Sequence, residues 1–518
     1  MNTRLIGGEM PHWSEPVESR ARGPVLGALP AAAPGRTLIA GPHDPGLVDR
    51  LALGALTFVV RGLPDAEALA RHYEHRIDAE VLCGDLQKLA GDPSYDQILV
   101  LNGLDRTGST ETADQAWSAS LARLLSLLRP GGRLVLGLPN LVGLPALLTP
   151  PAPPSDAEWG TLPEDDPTRP ASLERLVATL RDSGVETTAT YAAYPSPTAP
   201  TVLLSERILG DPELRGFTQS VLRRALVPES PMLADPRPIV ARLVRQERAS
   251  SLAPGWLVVA TLGWSPAERY PDALVATGDE VHRVDRDGTL GWVRTTPSGG
   301  VKPIPSAACL HDALLSASRR HDVPEFRTLL TAWQTGRLST LPADAVLLTP
   351  DGTLHPSPAL PSSPALPSSP ALPSSPDPSA TPSSSEALHR FAAALFDEGA
   401  AHLWPSPADP AEVTALLAEM AGRTDVTPPA TPLEPLPTAR ETAAARDRLT
   451  IELSEARAQI AWYERRLVQR DAELVRANRV IGALKATTTG RAATVVFGSL
   501  RTGKRVARAA LRRLRPDE

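Results

Sequence analysis

The sequence predicts an α/β fold, because short apolar strands alternate with amphipathic helical patterns over residues 35–206. The strand candidates share a short apolar run and lie at 37–40, 56–60, 79–83 and 97–101. The helical patterns that separate and follow them lie at 47–53, 65–76 and 116–128. Alternation of this kind favours βαβ units, right-handed crossovers and a mostly parallel sheet.

The most specific element is Leu128–Asn140 (LRPGGRLVLGLPN), which indicates the end of a helix, a turn and a buried strand. Pro130 cannot continue a helix, and the glycines after it accept the backbone angles of a tight reversal. The apolar run from Leu134 to Leu138 is typical of a parallel strand that is covered on both faces. This helix–LRPGG–strand element resembles one found late in the nucleotide-binding domain of class I S-adenosylmethionine-dependent methyltransferases.

The resemblance implies a Rossmann-like sheet over residues 35–206, with an antiparallel strand near its late edge. An amphipathic helix at 172–182 precedes two late strand candidates, at 188–193 and 201–205, which we expect to pair. It also implies S-adenosyl-L-methionine as the cofactor, held by the loops that follow the first four strands.

The first of these loops is LIAGPHDPG (Leu38–Gly46), which departs from the family pattern of an acidic residue followed by a glycine-rich turn. Ala40 stands where the acid is expected. Gly41 and Gly46 are then the predicted backbone contacts of the cofactor, unless they serve only the turn. Asp44 is the predicted carboxylate within the loop.

The later loops supply the other predicted contacts. Arg61 follows the second strand, where Rossmann-type sites carry an acid for the ribose hydroxyls, and Asp65 comes several residues later. Asp85 resembles the acid that accepts from the adenine amino group, with a solvated loop acid as the alternative. Asn102 follows the fourth strand, where cofactor or substrate groups project.

No catalytic residue is assigned from the sequence. A hydroxyl acceptor would need a base, and the candidates on the appropriate loops are His43, Asp44 and Asp105. No metal site is predicted, because neither Cys83 nor Cys309 has the neighbouring His and Cys residues that zinc requires.

Length, composition and net charge narrow the possible classes of protein. The 518 residues allow two or three domains, and the abundance of Ala, Leu, Arg and Pro suggests a bacterial genome of high GC content. The net charge of −6 indicates no general affinity for nucleic acid. Two cysteines, the lack of a signal segment and the lack of a run of ~20 apolar residues lead us to expect a cytoplasmic protein.

The chain is predicted to contain several segments around the Rossmann-like domain. Residues 1–34 are expected to form a loose extension, and 207–353 a second, smaller α+β region. PALPSS occurs three times within 354–385, which predicts a disordered, low-complexity Pro/Ser-rich linker. The helical segment 386–424 is expected to dock back on the second region, and 425–440 is another linker.

Residues 441–486 are predicted to form a coiled coil. Its apolar seam follows alternating steps of four and three residues, is interrupted once by Arg470, and consists of Leu449, Leu453, Ala456, Ile460, Tyr463, Leu467, Leu474, Ala477, Ile481 and Leu484. A homo-oligomer, most simply a dimer, follows from this pattern. The alternative is an amphipathic helix that packs on its own domain.

The last residues, 487–518, are predicted to form a basic amphipathic tail. Such a tail either lies on an anionic membrane surface, here the inner membrane face, or remains a solvated helix. The coiled coil followed by a basic tail resembles the ends of bacterial enzymes of surface-polysaccharide assembly. That resemblance implies a glycan or a lipid-linked acceptor.

Two functions are therefore carried forward. The first is an S-adenosylmethionine-dependent methyltransferase, acting by O-methyl transfer on a glycan, lipid-linked or small-molecule acceptor, with weak cofactor binding. The alternative is a catalytically inactive, methyltransferase-like scaffold, which oligomerises through its coiled coil and recruits partner enzymes.

Overall fold

The chain divides into two units, Met1–Pro437 and Thr438–Glu518. The first unit contains a large mixed β-sheet, and the described residues of the second form one long helix. The computed structural model describes residues 3–29, 35–51, 53–112, 115–149, 165–227, 232–263, 268–357, 383–398, 400, 409–423 and 439–486. Within these residues, thirteen strands form the large sheet, and three further strands form a small one.

The strands of the large sheet include those predicted from the sequence. They are β1 (Arg4–Gly7), β2 (Arg36–Ala40), β3 (Ala55–Val60), β4 (Ala79–Gly84), β5 (Tyr95–Val100), β6 (Leu128–Pro139), β7 (Val185–Tyr194), β8 (Val202–Leu204), β9 (Gly255–Leu262), β10 (Ala273–Thr277), β11 (Glu280–Asp287), β12 (Gly291–Thr295) and β13 (Val301–Pro303). The small sheet contains β14 (Ala308–Cys309), β15 (Val346–Leu348) and β16 (Leu354–Pro356).

Helices precede, connect and follow these strands. They are α1 (Pro24–Gly27), α2 (Pro45–Arg50), α3 (Leu63–His72), α4 (Trp117–Leu127), α5 (Leu144–Leu148), α6 (Leu173–Asp182), α7 (Glu206–Leu209), α8 (Arg215–Ala225), α9 (Pro236–Arg245), α10 (Leu310–Arg319), α11 (Val323–Thr335), α12 (Ser384–Asp397), α13 (Pro410–Met420) and α14 (Ala439–Ala486). The helices predicted at 47–53, 65–76, 116–128 and 172–182 correspond to α2, α3, α4 and α6.

The strand order is that of a doubly wound sheet. The large sheet runs β1-β4-β3-β2-β5-β6-β9-β7-β8-β10-β11-β12-β13, and β1 to β6 are mutually parallel. Counted from β2, the central strands therefore follow the order 3-2-1-4-5, which places a switch point between β2 and β5. β9 lies antiparallel between β6 and β7, in agreement with the antiparallel late edge that the methyltransferase resemblance implies.

Alternating side chains of the central strands fill two cores, one on each face of the sheet. Leu38 belongs to the core under α4, α6, α8 and α9, and its neighbour Ile39 belongs to the core under α1, α2 and α3. In the same way, Leu134 belongs to the first of these cores and its neighbour Val135 to the second. The near-continuous apolar runs in the sequence thus reflect burial on both faces.

The sheet does not end at residue 206, where we predicted the boundary of a second region. β9 comes from that region, yet it pairs with β6 over Arg133–Pro139 and with β7 over Val185–Ala193. β10 continues the sheet from β8. Residues 207–303 therefore complete the first sheet, because an antiparallel strand from a distant part of the chain supplies the hydrogen-bond partners of two earlier strands.

The N-terminal residues also differ from the loose extension that we predicted. β1 pairs in parallel with β4 at the edge of the sheet, with Arg4 opposite Leu82. The residues that follow, which we call the N-terminal segment (8–22), cross the carboxyl ends of β2, β3 and β4. Met10 donates to and accepts from the backbone on either side of Gly62, so the segment is fixed by main-chain hydrogen bonds.

A third core lies beside the sheet and joins α10, α11, α12 and α13. Leu314, Trp333, Phe391 and Leu417 are among its buried members, so the predicted docking of the 386–424 helices on the second region is confirmed. The predicted linker 354–385 begins later than expected, because Leu354–Pro356 forms β16 opposite β15. The PALPSS repeats at 358–375 lie outside the described residues.

In the second unit, α14 covers the predicted coiled coil as one continuous helix. The side chains described along it, at 449, 452–453 and 455–483, are exposed. The basic tail at 487–518 lies outside the described residues. Of the predicted linker 425–440, residues 425–438 also lie outside them, and residues 439–440 begin α14. None of the described helices combines the length and the apolar character that crossing a bilayer requires.

The centre of the sheet leaves no room for a side chain at Gly137 of β6. A Cβ atom there would lie 2.1 Å from the carbonyl oxygen of Leu101, which is backbone and cannot rotate away. We expect Gly137→Ala to destabilise the protein by at least the ~1–3 kcal/mol typical of overpacking, measured by chemical denaturation. Gly288→Ala is the control, because nothing lies within 4 Å of its added Cβ; equal stability of the two variants would contradict this prediction.

Candidate functional site

The predicted cofactor contacts lie together at the carboxyl edge of the central strands. Gly41, Asp44 and Gly46 follow β2, Asp85 follows β4, and Asn102 follows β5. In open α/β sheets, ligands bind outside this edge at the switch point. In this protein the same place is occupied by the N-terminal segment (8–22) and by the loop after β5, residues 101–112, which we call the β5 loop.

The turn after β2 is shaped by Gly41, whose φ of 85° is accessible to glycine and strained for other residues. Its amide donates to Val59 O across the neighbouring strand. The next residues pair with the N-terminal segment, since Ala21 N donates to Pro42 O at 3.0 Å and Asp44 N donates to Ala21 O at 2.9 Å. The backbone of this loop therefore binds another part of the chain.

His43 is a structural histidine and not a free base. Leu101 N donates to its Nε2 at 3.3 Å, so Nδ1 carries the proton and donates to Gly41 O at 3.0 Å. Burial lowers the pKa of His43 to about 4, against a smaller opposing effect of the Gly41 hydrogen bond. The ring is thus neutral at physiological pH with both nitrogens engaged, and it ties the β2 turn to the end of β5.

Asp44 and Gly46 are partners of each other. The Asp44 carboxylate caps α2 by accepting from Gly46 N at 2.8 Å. Capping of this kind satisfies an amide that the first turn of a helix leaves free. The predicted ammonium ligand and the predicted backbone contact therefore have a local structural role.

Asp85 is almost completely buried and has three donors from the chain itself. Its carboxylate accepts from Gln87 N at 2.7 Å, from Ser109 N at 3.1 Å and from the Thr112 hydroxyl. Its backbone amide donates to Gly7 O at 2.9 Å. Asp85 holds the β5 loop against the end of β4, in the place where the resemblance predicts an adenine.

The two predicted polar residues of the β5 loop, Asn102 and Asp105, also bind other parts of the chain. The Asn102 side-chain amide donates to Ser19 O of the N-terminal segment. Asp105 forms an ion pair with Arg169, at 3.2 Å to Nη2, and Arg169 also donates to Pro139 O at 2.8 Å. The Asp105 carboxylate, the third candidate base, is therefore paired with a buried arginine, although Asp105 itself remains accessible to solvent.

A buried cluster of charges, which the sequence analysis missed, lies at the end of β3. Glu15 Oε1 accepts from Arg61 Nε at 2.6 Å, and Glu15 Oε2 accepts from Arg106 Nη1 at 2.7 Å. Arg61 also donates to Gly108 O and lies 5.6 Å from the centre of the Trp13 ring. Burial would raise the pKa of Glu15, but the two guanidinium groups outweigh it and hold the pKa below its ordinary value.

Asp65, the acid that arrives late after β3, binds the same N-terminal segment. Its carboxylate accepts from Ser14 Oγ, from Glu15 N and from Arg20 Nη2, each at 2.8 Å. The position that binds ribose hydroxyls in Rossmann-type proteins thus contains an arginine and an aspartate, both paired with the N-terminal segment.

A cavity of about 240 Å³ lies between the β2 turn, α3 and the N-terminal segment. Pro42, Val60 and Leu69 line its apolar part, and Glu15, Arg61 and Arg106 line its charged end. This volume is below the ~300–1,000 Å³ typical of small-molecule sites. Among the described residues, no three His, Cys, Asp or Glu side chains are placed to hold a metal ion.

In this conformation the site does not fit S-adenosylmethionine. The cofactor needs acceptors for its ammonium group and its ribose, whereas the carboxylates of Asp44, Asp65 and Asp85 are used by the chain itself. The backbone after β2 is paired with Ala21. One residue in the sequence could have indicated this closure. Arg61 stands where Rossmann-type sites carry an acid, and a buried arginine needs an acidic partner, which here is Glu15 of the N-terminal segment.

Part of this chain is similar in shape to several solved structures, of which three are described. A Haloferax volcanii complex of a methyltransferase activator with a proposed methyltransferase has a TM-score of 0.28 and 14% identity, over 46% of this chain and 88% of that chain. A Burkholderia thailandensis 1,6-didemethyltoxoflavin N1-methyltransferase, which holds S-adenosylhomocysteine, has a TM-score of 0.22 and 16% identity, over 45% and 72%. The [4+2]-cyclase SpnF has a TM-score of 0.25 and 16% identity, over 45% and 76%.

No family model matches the sequence, and no curated protein matches it. At the TM-scores given above, likeness in shape carries no information on chemistry, and a shared fold does not by itself imply a shared function. The fold assignment therefore rests on the strand order, and the function must be argued from the carboxyl edge of the sheet.

Proposed function

We propose that this protein is a methyltransferase-like α/β protein whose cofactor edge is closed by its own N-terminal segment, and that it acts as an oligomeric scaffold. The observation that supports this most directly is the Glu15–Arg61 ion pair of 2.6 Å, in which both side chains are almost fully buried. An ion pair removed from water in this way is stable only while both partners stay in place. The closure is therefore part of the folded core.

The scaffold role is proposed because the closed carboxyl edge leaves the predicted cofactor and catalytic side chains engaged within the fold. Each side chain that was expected to contact the cofactor stabilises the fold, and the candidate bases His43 and Asp105 have structural partners. The apolar seam along α14 is exposed. We infer that oligomerisation through 441–486 and recruitment of partner enzymes are the function, and that the basic tail adds contact with an anionic membrane surface.

A second candidate function is S-adenosylmethionine-dependent methyl transfer. The strand order and the antiparallel β9 support it. This function requires an open form, in which the N-terminal segment leaves the carboxyl ends of β2 and β3. Asp65 and Asp85 would then exchange their present donors for groups of the cofactor. The acceptor in this case would be a glycan, a lipid-linked molecule or a small molecule.

Calorimetric titration of the full-length protein with S-adenosylmethionine and with S-adenosylhomocysteine separates the two functions. We expect no saturable heat at millimolar ligand, because the acceptors are occupied and the cavity is small. Saturable binding that Asp85→Ala weakens would contradict the closed-scaffold proposal and support the enzyme.

The variant Glu15→Ala tests whether the N-terminal segment is what prevents the cofactor from binding. It removes the carboxylate that holds Arg61 and Arg106 while leaving Asp65 and Asp85 unchanged. Heat from this variant alone would show that closure excludes the cofactor. The matched control is Glu18→Ala, since Glu18 lies in the same segment with an exposed side chain.

A further inference from the structure

The exposed seam of α14 is an unpartnered apolar face with a regular register. Its spacing assigns Leu453, Ile460, Leu467, Leu474 and Ile481 to the a positions of successive heptads. The d positions begin at Leu449 and include Tyr463 and Arg470. Leu467 is 64% exposed and Leu474 is 60% exposed, so the seam is not covered by α14 itself.

We propose that α14 pairs with α14 of a second copy of this chain as a parallel, in-register, two-stranded coiled coil. This inference rests on the scaffold function and gives it a geometry, because the N-terminal ends of the two α14 helices then lie at the same end of the helix pair. The charges that flank the seam select this arrangement over the alternatives.

In a parallel, in-register pair, each g position faces the e position five residues later on the other helix. Glu452 then faces Arg457, and Arg466 faces Asp471. Each pair occurs twice by symmetry, and the remaining g–e contacts that involve described side chains bring no like charges together. Opposite charges at these positions determine partner choice and orientation in coiled coils.

Shifting one copy by one heptad makes most of the flanking charge contacts repulsive. Glu452 then lies opposite Glu464 on one side of the pair, and Glu473 lies opposite Asp471 on the other side. Arg466 opposite Glu464 is the opposite-charge contact that this shifted pair retains among the described side chains. Like charges across the seam oppose association, so the in-register pair is the favoured parallel arrangement.

The antiparallel arrangement that keeps the seam matched is also disfavoured. It pairs e with e and g with g, so that Glu464 meets Asp471 of the second copy and Arg466 meets Glu473. The repulsive and attractive contacts balance in this arrangement, whereas the parallel, in-register pair has attractive contacts without repulsive ones among the described side chains. The antiparallel arrangement also packs Arg470 against the apolar side chain of Leu467, without a carboxylate from the other helix in the same layer.

Arg470 has acidic neighbours when the pair is parallel and in register. Glu473 lies on the same helix, with its carboxylate 3.7 Å from the guanidinium, and Asp471 of the second copy flanks the same layer. A polar residue at one seam position fixes register and strand number at a cost in stability. The two Arg470 side chains can extend to these carboxylates from a two-stranded seam, whereas a third strand would bring a third guanidinium into the layer.

The mass of the full-length protein in light scattering tests the seam. We expect twice the chain mass of 55.0 kDa. Leu467→Asp should give the monomer mass, because it places a carboxylate in the seam of both helices. Val468→Asp is the matched control, since Val468 is 69% exposed on the outer face, and it should remain a dimer. A wild-type monomer, a trimer, or equal behaviour of the two variants would overturn the proposal.

Cysteine cross-linking tests the orientation and the register. Ala456 occupies a d position, so the variant Ala456→Cys brings two thiols together only in a parallel, in-register dimer. Ala472→Cys places the thiol on the outer face and serves as the control; the native Cys83 and Cys309 are both buried. We expect a disulfide-linked dimer from Ala456→Cys alone under mild oxidation. A wild-type dimer without this cross-link would overturn the parallel register while leaving the scaffold function intact, whereas a wild-type monomer would contradict both.

Discussion

Replacing Glu15 by alanine is expected to lower the free energy of unfolding by about 3–5 kcal/mol, which is the cost of breaking a buried ion pair. The carboxylate is the charged partner of Arg61, whose side chain is 4% exposed, and it also binds Arg106. Without it, the Arg61 guanidinium stays in the protein interior without its paired carboxylate of Glu15, close to the Gly108 carbonyl and the Trp13 ring. Chemical denaturation of both proteins at neutral pH measures the difference.

The same pair predicts a dependence on pH. Because the folded-state pKa of Glu15 is below its ordinary value of 4.5, its contribution is present above that value and is lost as the pH falls through the lower, folded-state pKa. The stability difference between wild type and Glu15→Ala should therefore shrink in acid. The control Glu18→Ala should stay within about 0.5 kcal/mol of wild type, as exposed substitutions do. A small effect of Glu15→Ala at neutral pH would mean that the N-terminal segment is not held by this pair.

Replacing Glu398 by alanine is expected to have an effect of similar size, because this carboxylate joins three helices. It lies directly after α12 and accepts from Arg223 of α8 and from His311 of α10, each at 2.9 Å. Both acidic and basic partners are almost fully buried, and Arg223 also pairs with Asp312 at 2.9 Å. We expect a loss of about 3–5 kcal/mol, measured by chemical denaturation.

The buried Glu398 network also predicts a dependence of stability on pH. Burial would raise the pKa of Glu398, but the hydrogen bonds and charges of His311 and Arg223 outweigh it and lower the pKa to about 2. Its contribution is therefore complete above its ordinary pKa of 4.5 and is lost as the pH falls towards 2. Glu386→Ala is the control on the same helix, since Glu386 forms only an exposed i,i+4 pair with Arg390, which is worth at most about 1 kcal/mol. Equal losses from both variants would refute the buried-network explanation.

The sequence was sufficient for the elements that local patterns encode. Apolar runs at 37–40 and 97–101 predicted strands, because burial on both faces of a sheet leaves a near-continuous apolar run. The amphipathic spacing at 172–182 predicted α6, because burial on one face of a helix leaves a period of 3.6 residues. The sequence also predicted the alternation of strands and helices from β2 to β6. It placed the candidate cofactor residues on the correct edge of the sheet, because the carboxyl ends of parallel strands share one edge.

The tertiary structure alone decided which of those residues are available. Asp85 is equally suitable for an adenine amino group and for the amide of Ser109, and nothing in its neighbourhood along the chain distinguishes the two. The partner of Arg61 is 46 residues away, in a segment without apolar periodicity. Likewise β9 enters the sheet from a region that its local pattern assigned elsewhere. Local patterns record which side chains are buried, whereas long-range pairing depends on where the whole chain places a complementary group, and that information is present only in the folded protein.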